Sequence, residues 1–171
     1  DFTGEVKGAL RVVDAAVVLL KAVEGAEVGT DIVWRYAQER DAAAIVVVNK
    51  VDQENADVDR VIEHAKESLG HDVIPLQFPL KQGLGFDSIV DVVRMKLLVF
   101  VPGGNGKCTE QEIPAEARAR AEALRQQLLE QIAETDETLL NKYLEQGGLS
   151  DEEVQEQLVL GDGVVTGHAL I

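Results

Sequence analysis

The tetrapeptide Asn49-Lys50-Val51-Asp52 carries the most specific chemistry in the chain, because it follows the apolar run AAAIVVV (42–48) directly. A carboxylate at Asp52 can accept hydrogen bonds from both the ring N–H and the exocyclic amine of guanine. Adenine offers neither pattern, so binding it would leave a desolvated carboxylate unpaired. Hydrogen bonds to charged groups contribute roughly 1.5–3 kcal/mol. A site built around such a pair rejects an analogue lacking it by on the order of 10⁴-fold. Asn49 can bond the base edge and tie neighbouring loops together, and the aliphatic stem of Lys50 can lie over the purine face. The same residues also make an ordinary polar turn, so position matters. Ligands of open α/β sheets bind outside the carboxyl ends of the strands, which is where this tetrapeptide falls.

The elements that must position it read as an α-β-α-β-α series over the first 70 residues, the rhythm of a doubly wound α/β fold. Phe2, Val6, Ala9, Leu10 and Val13 recur at helical spacing and predict an amphipathic helix over 2–13. AAVVLL (15–20) and 42–49 read as strands apolar on both faces, which belong to parallel sheets covered by helices. Between them, 28–40 reads as a helix with Val33, Tyr36 and Ala37 on one face. Val58, Val61, Ile62, Ala65 and Leu69 give the next helix, stopped by Gly70.

The second half changes character. DVIPLQFPL (72–80) holds two prolines, which predicts an edge strand or extended connection. MKLLVFV (95–101) reads as another short strand, its candidate antiparallel partner, followed by a loop at 102–107. From Ile113 the chain reads as helical. Ala117, Ala121, Leu124, Leu128 and Ile132 line one face of a long helix, and Leu139, Leu140, Tyr143 and Leu144 mark a shorter one. A third starts at Ser150, where Ser150 and Glu153 can form a capping box and Leu149 can staple to Val154.

Composition sets outer bounds. With 171 residues and 46% hydrophobic side chains the chain can bury a real core, but only 4% are aromatic, so aliphatic residues must build it. The net charge of −15 argues against nonspecific nucleic-acid binding and suits solubility or a basic protein partner. Between Glu110 and Gln157, thirteen carboxylates face Arg118, Arg120, Arg125 and Lys142, so that stretch carries about −9 of the total. Cys108 is the single cysteine; it permits no intrachain disulfide, reads as an inert loop thiol and fits a reducing cytoplasm. No apolar run is long enough to span a membrane. His64, His71 and His168 lack metal-ligand spacing and read as surface or strand residues, and Trp34 reads as packing a helix on the sheet.

Taken together these segments resemble the G domain of translation elongation factor G over nearly the whole chain. Residues 1–37 resemble the stretch after that family's Asp-x-Pro-Gly-His switch motif, and NKVD resembles its guanine motif, usually Asn-Lys-Met-Asp. VIPLQFPL with FDSIVDVVRMK (73–96) and IPAEARARAEALRQQLLEQIAETDETLLNKYLEQGGLSDEEV (113–154) resemble its family-specific insertion. EVGTDIVW leans towards elongation-factor-G-like paralogues. The resemblance implies a P-loop NTPase-type doubly wound sheet with an α+β insertion subdomain. Residues 1–71 would be a partial G-domain core, 72–163 the insertion, and 164–171 the start of a return strand. It further implies a translational GTPase that binds GTP or GDP with Mg²⁺, acts on the ribosome and drives translocation, with Asn49, Lys50 and Asp52 reading guanine. The insertion's acidic helix, through Glu116, Glu122 and Glu130, would face the ribosomal stalk protein.

The departures are as informative. No G-x-x-x-x-G-K-[ST] phosphate loop occurs; GGNGKC (103–108) lacks the spacing and the hydroxyl. The family's switch threonine, Mg²⁺-side aspartate and catalytic histidine would precede Asp1, and its Ser-Ala loop would follow Ile171. The expectation is a fragment truncated at both ends, with no catalytic or metal residue of its own, feeble nucleotide affinity and no hydrolysis alone. The alternative is a non-catalytic interaction module docking through its acidic helices. A release or tetracycline-protection factor is a further one, disfavoured by the helical insertion.

Overall fold

The computed structural model describes residues 3–160 apart from 14, 41–42, 71–72, 102 and 104. The return strand expected at 164–171, His71 and His168 lie outside the described residues.

Strands β1 (Ala15–Lys21) and β2 (Ala43–Asn49) form a parallel pair, in register from Ala15 opposite Ala43 to Lys21 opposite Asn49. Side chains alternate across a strand, and Val18 and Leu20 of β1 join Ala44, Val46 and Val48 of β2 in one core. Helix α1 (Thr3–Ala9) precedes β1. Helix α2 (Val28–Gln38) adds Trp34 to that core, and α3 (Val58–Leu69) adds Val58, Val61, Ile62, Ala65 and Leu69. Burying a valine, leucine or isoleucine contributes roughly 1.5–3 kcal/mol, so α3 is anchored by its stripe. The Asp57 side chain caps it by accepting from the Arg60 N–H at 3.0 Å, and Gly70 ends it. Trp34 packs as the sequence suggests, and its Nε1–H donates to the Leu69 carbonyl at 3.0 Å, joining α2 to the end of α3.

Two expectations for this half need correction. β1 is not buried on both faces: Val17 is 65% and Leu19 63% exposed, because the described helices cover only the opposite face. The first helix stops at Ala9, earlier than Val13. There the bonding tightens to i−3, from Arg11 N–H to Gly8 and from Val12 N–H to Ala9, which leaves Leu10 buried and Val12 and Val13 outside.

The second half is an antiparallel sheet in the order β3 (Gln77–Pro79), β4 (Ser88–Asp91), β5 (Lys96–Phe100), β6 (Cys108–Gln111). The proline-bearing β3 is indeed an edge. Its partner is β4, however, and β5 pairs with β4 and β6. Cys108 accordingly opens a strand rather than lying in the loop, though it is exposed. Helices α4 (Ala115–Glu134), α5 (Glu137–Gln146) and α6 (Asp151–Leu160) follow. Ala117 and Ala121 of α4 pack with Phe78, Val90, Val92 and Leu97 of the sheet, and Leu128 and Ile132 pack with Ile74 and Val154. The capping box at α6 forms as expected. Ser150 N–H donates to Glu153 at 2.9 Å, and Glu153 N–H donates to Ser150 Oγ at 3.3 Å. Leu149 and Val154 join the same cluster.

Candidate functional site

β2 delivers Asn49 to the carboxyl end of the parallel pair, and Ala22 N–H donates to the Asn49 carbonyl at 2.9 Å. There the chain turns sharply. Lys50 has φ +62, the left-handed region, which costs a non-glycine residue roughly 1–2 kcal/mol. Local bonds compensate: Asn49 Oδ1 accepts from the Lys50 N–H at 2.8 Å, and the Lys50 carbonyl accepts from the Gln53 N–H at 3.1 Å. The Asn49 side chain thus braces its own turn; this bond does not reach a neighbouring loop.

Asn49, Lys50 and Asp52 are brought together and all three are exposed. Among the described residues the Asp52 carboxylate has neither a hydrogen-bond nor an ion-pair partner, so both its oxygens can accept. Beside the loop lies a largely apolar cleft of about 290 Å³ between the end of β2 and the β3–β4 hairpin. Val47 and Val48 line it from one side, Phe78, Phe86 and Ile89 from the other, with Asn49, Lys50 and Asp52 at its polar edge. Ligand sites combine this kind of apolar wall with a few placed polar groups. The volume is large enough for a heterocyclic base.

Two contacts to the loop had no signal in the sequence. Gly83 N–H donates to the Val51 carbonyl at 2.8 Å, and Val58 N–H donates to Gln82 Oε1 at 2.8 Å. They join segments more than twenty residues apart, and the only local hint is the glycine pair Gly83 and Gly85.

Of GGNGKC, Gly103 and residues 105–107 lie in the β5–β6 connection, with Gly103, Asn105 and Gly106 at positive φ, and Cys108 opens β6, in the other sheet from Asn49. No group of three or more His, Cys, Asp or Glu side chains gathers as for a metal ion among the described residues. The acidic residues of α4 do not share one stripe. At about 100° per residue, Glu116 and Glu130 lie within about 40° of each other, whereas Glu122 lies about 120° round from Glu116. Glu130 already accepts from Gln126 at 3.0 Å and from the Tyr143 hydroxyl at 3.4 Å, and Glu122 pairs with Arg118 at 3.9 Å.

A parallel α/β unit with Asn-Lys-x-Asp at a strand end defines a guanine-nucleotide-binding class of domain, and comparison with known proteins agrees. The chain belongs to the elongation factor Tu GTP-binding domain family, whose model matches residues 1–159. It is similar to elongation factor G of Thermotoga petrophila and of Thermotoga maritima, at 37% identity over 158 residues in each case. Those alignments cover 92% of this chain and 23% of each relative, so the chain spans about a quarter of their length. The crystal structure of a Thermus thermophilus protein superposes with a TM-score of 0.83 at 34% identity, covering 99% of this chain and 25% of that one. The P-loop NTPase-type fold expected from the sequence is therefore the fold of this chain.

Proposed function

We propose that this chain is the guanine-reading part of a translational GTPase. In the whole protein it would bind GTP and GDP with Mg²⁺, work with the ribosome in the cytoplasm and drive translocation during protein synthesis. Residues 1–71 would form part of the G-domain core, 72–163 an insertion within it, and 164–171 the return to that core. The observation that carries this is the Asp52 carboxylate, without a partner among the described residues, held with Asn49 and Lys50 at the carboxyl end of a parallel strand in a chain of this family. Asp52 accepts from the guanine edge, the Lys50 stem lies on the purine face and Asn49 locks the loop. On this reading the chain's own contribution is base recognition. Alone, it should bind nucleotide feebly and hydrolyse none.

Asp52→Asn in the whole protein tests this. It should weaken GDP binding by at least about a hundredfold, through two lost charge-assisted bonds, and improve xanthosine diphosphate, whose edge presents the complementary acceptor. Unchanged GDP affinity by calorimetry would sink the assignment.

The exposed acidic surface of α4 supports a second element of the reading, a basic ribosomal partner such as the stalk protein. Glu116 is the strongest contact candidate, since Glu122 and Glu130 are already engaged within the chain. Charge of this kind speeds encounter more than it tightens a complex. The association rate with the purified stalk protein should therefore fall steeply with salt. A salt-independent rate would remove the contact.

A further inference from the structure

The left-handed turn at Lys50 persists only if its surroundings over-determine it. Three of the bonds that do so come from within the first region: Ala22 N–H to the Asn49 carbonyl, Lys50 N–H to Asn49 Oδ1, and Gln53 N–H to the Lys50 carbonyl. The fourth comes from the second. Gly83 N–H donates at 2.8 Å to the Val51 carbonyl, which belongs to the peptide plane carrying the Asp52 amide. Any rotation of that plane swings the Asp52 side chain. The adjacent residue reaches the other end of the same segment, where Gln82 Oε1 accepts from the buried Val58 N–H at 2.8 Å. One dipeptide thus brackets residues 51–58 at both ends.

The bracket is itself built for the purpose. Gly83 has φ +79, so the turn demands glycine through its backbone angle. Space is not the reason, because a Cβ there would meet the Gln53 carbonyl oxygen at an ordinary 3.6 Å. The turn closes with Phe86 N–H on the Gly83 carbonyl at 3.0 Å, which sets the ring that lines the cleft beside the loop.

We propose that Gln82 and Gly83 are positioning residues for guanine recognition: they touch no nucleotide, and they aim the Asp52 carboxylate by pinning the backbone on both sides of it. The proposal rests on the reading of Asn49–Asp52 as the guanine loop. A tie that merely joined the two regions would change stability and leave base discrimination untouched, so discrimination is the readout.

The experiment compares GDP with inosine diphosphate, which lacks the exocyclic amine, on the full-length protein. Gln82→Leu removes the acceptor and should weaken GDP by about tenfold, the order of one lost hydrogen bond. Inosine diphosphate should weaken less, so that the GDP-to-IDP preference falls and GDP release quickens. Gln82→Glu keeps an acceptor and should restore the preference. Gly83→Ala keeps the N–H but strains the angle, and should act like Gln82→Leu; it stands in should Gln82→Leu fail to fold. An unchanged preference in these variants overturns the proposal, whatever happens to Tm. Asp52→Asn runs alongside: if it leaves the preference intact, the guanine reading itself fails. If it abolishes the preference while the Gln82 and Gly83 variants do not, only the positioning role fails.

Discussion

The two halves of this molecule bury their apolar residues in different ways. The antiparallel half packs its sheet and helices against one another: Phe78, Val90, Val92 and Leu97 meet α4, and Leu128 and Ile132 meet Ile74 and Val154. The parallel half covers one face of its sheet with α2 and α3, while Val12, Val17, Leu19 and Val28 stay exposed. Both halves therefore leave apolar side chains exposed, but in different places: the parallel half on the outer face of a strand, at Val17 and Leu19, and the antiparallel half at Leu84, Val101 and, on α5, Leu140 and Leu144. Among the described residues, Val73 of the second half joins the core of the first, and polar contacts add to it. Arg120 pairs with Asp59 through both terminal guanidinium nitrogens, and the Gln82–Gly83 turn bonds to the Asn49–Asp52 loop and the start of α3. The candidate loop is thus carried by one half and tied by hydrogen bonds to the other.

The largest effects should come from breaking each core separately. Trp34→Ala removes the aromatic that joins α2, α3 and the parallel pair, and should cost about 3–5 kcal/mol. Leu128→Ala should cost about 2–5 kcal/mol, because Leu128 is 1% exposed and central to the α4–α6 cluster. Hydrogen exchange read by region distinguishes the two. Trp34→Ala should loosen α2, α3 and β2 while α4–α6 keep their protection, and Leu128→Ala should do the reverse. Equal loss across both regions in both variants would mean that the halves unfold as one.

How far the sequence reveals this design varies by element. β1 and β2 are legible because their β-branched apolar runs leave few alternatives, and Asn49–Asp52 is legible because it sits at the end of one of them. The Ser150–Glu153 box is legible since both partners are local. β4 and β6 are not. They are four residues each, and CTEQ in β6 is polar and exposed throughout, so only pairing with β5 makes it a strand. That is why β5 reads wrongly as the partner of β3. The bare face of β1 is invisible for another reason: an apolar run records that a strand is compatible with burial, not how many faces are covered. In the candidate site, residue types suggest base recognition, but the left-handed Lys50 and the bonds from Gln82 and Gly83 are tertiary facts with no local signature.

Acid should separate the halves next. Among the described residues, every carboxylate whose pKa is clearly displaced lies in the antiparallel half. Asp136 is lowered chiefly by the Leu139 N–H and then by Thr138, Glu153 by Lys142 and then the Ser150 N–H, and Glu112 by Lys96. With folded values below the unfolded ones, stability from these groups is present above the ordinary carboxylate range and is lost as pH falls through the folded values. Protection of α5 and α6 should decline below about pH 4 before that of β1 and β2. Asp136→Asn keeps an N-cap acceptor but cannot titrate, so it should flatten that decline at the start of α5. An identical decline in the variant would show that the cap is not the acid-sensitive group.

The smallest effect is the one that most sharpens the contrast between the halves. Threonine in place of Val17 or Leu19 should change the stability of this chain by no more than about 0.5 kcal/mol, as for exposed positions generally. Val18→Thr, one residue along the same strand and 8% exposed, buries a hydroxyl among the aliphatic side chains of the core and should cost about 1–3 kcal/mol. Denaturant midpoints for the three variants measure the difference directly. A cost at Val17 equal to that at Val18 would mean that the outer face of β1 is covered in solution. Repeating the Val17 and Leu19 substitutions in the whole protein then asks a separate question. If they remain neutral there, the face is solvent in the parent as well. If they become costly, the surplus apolar surface of the site-bearing half is a seat for the rest of that protein, and the exposed positions of this chain mark where it rests.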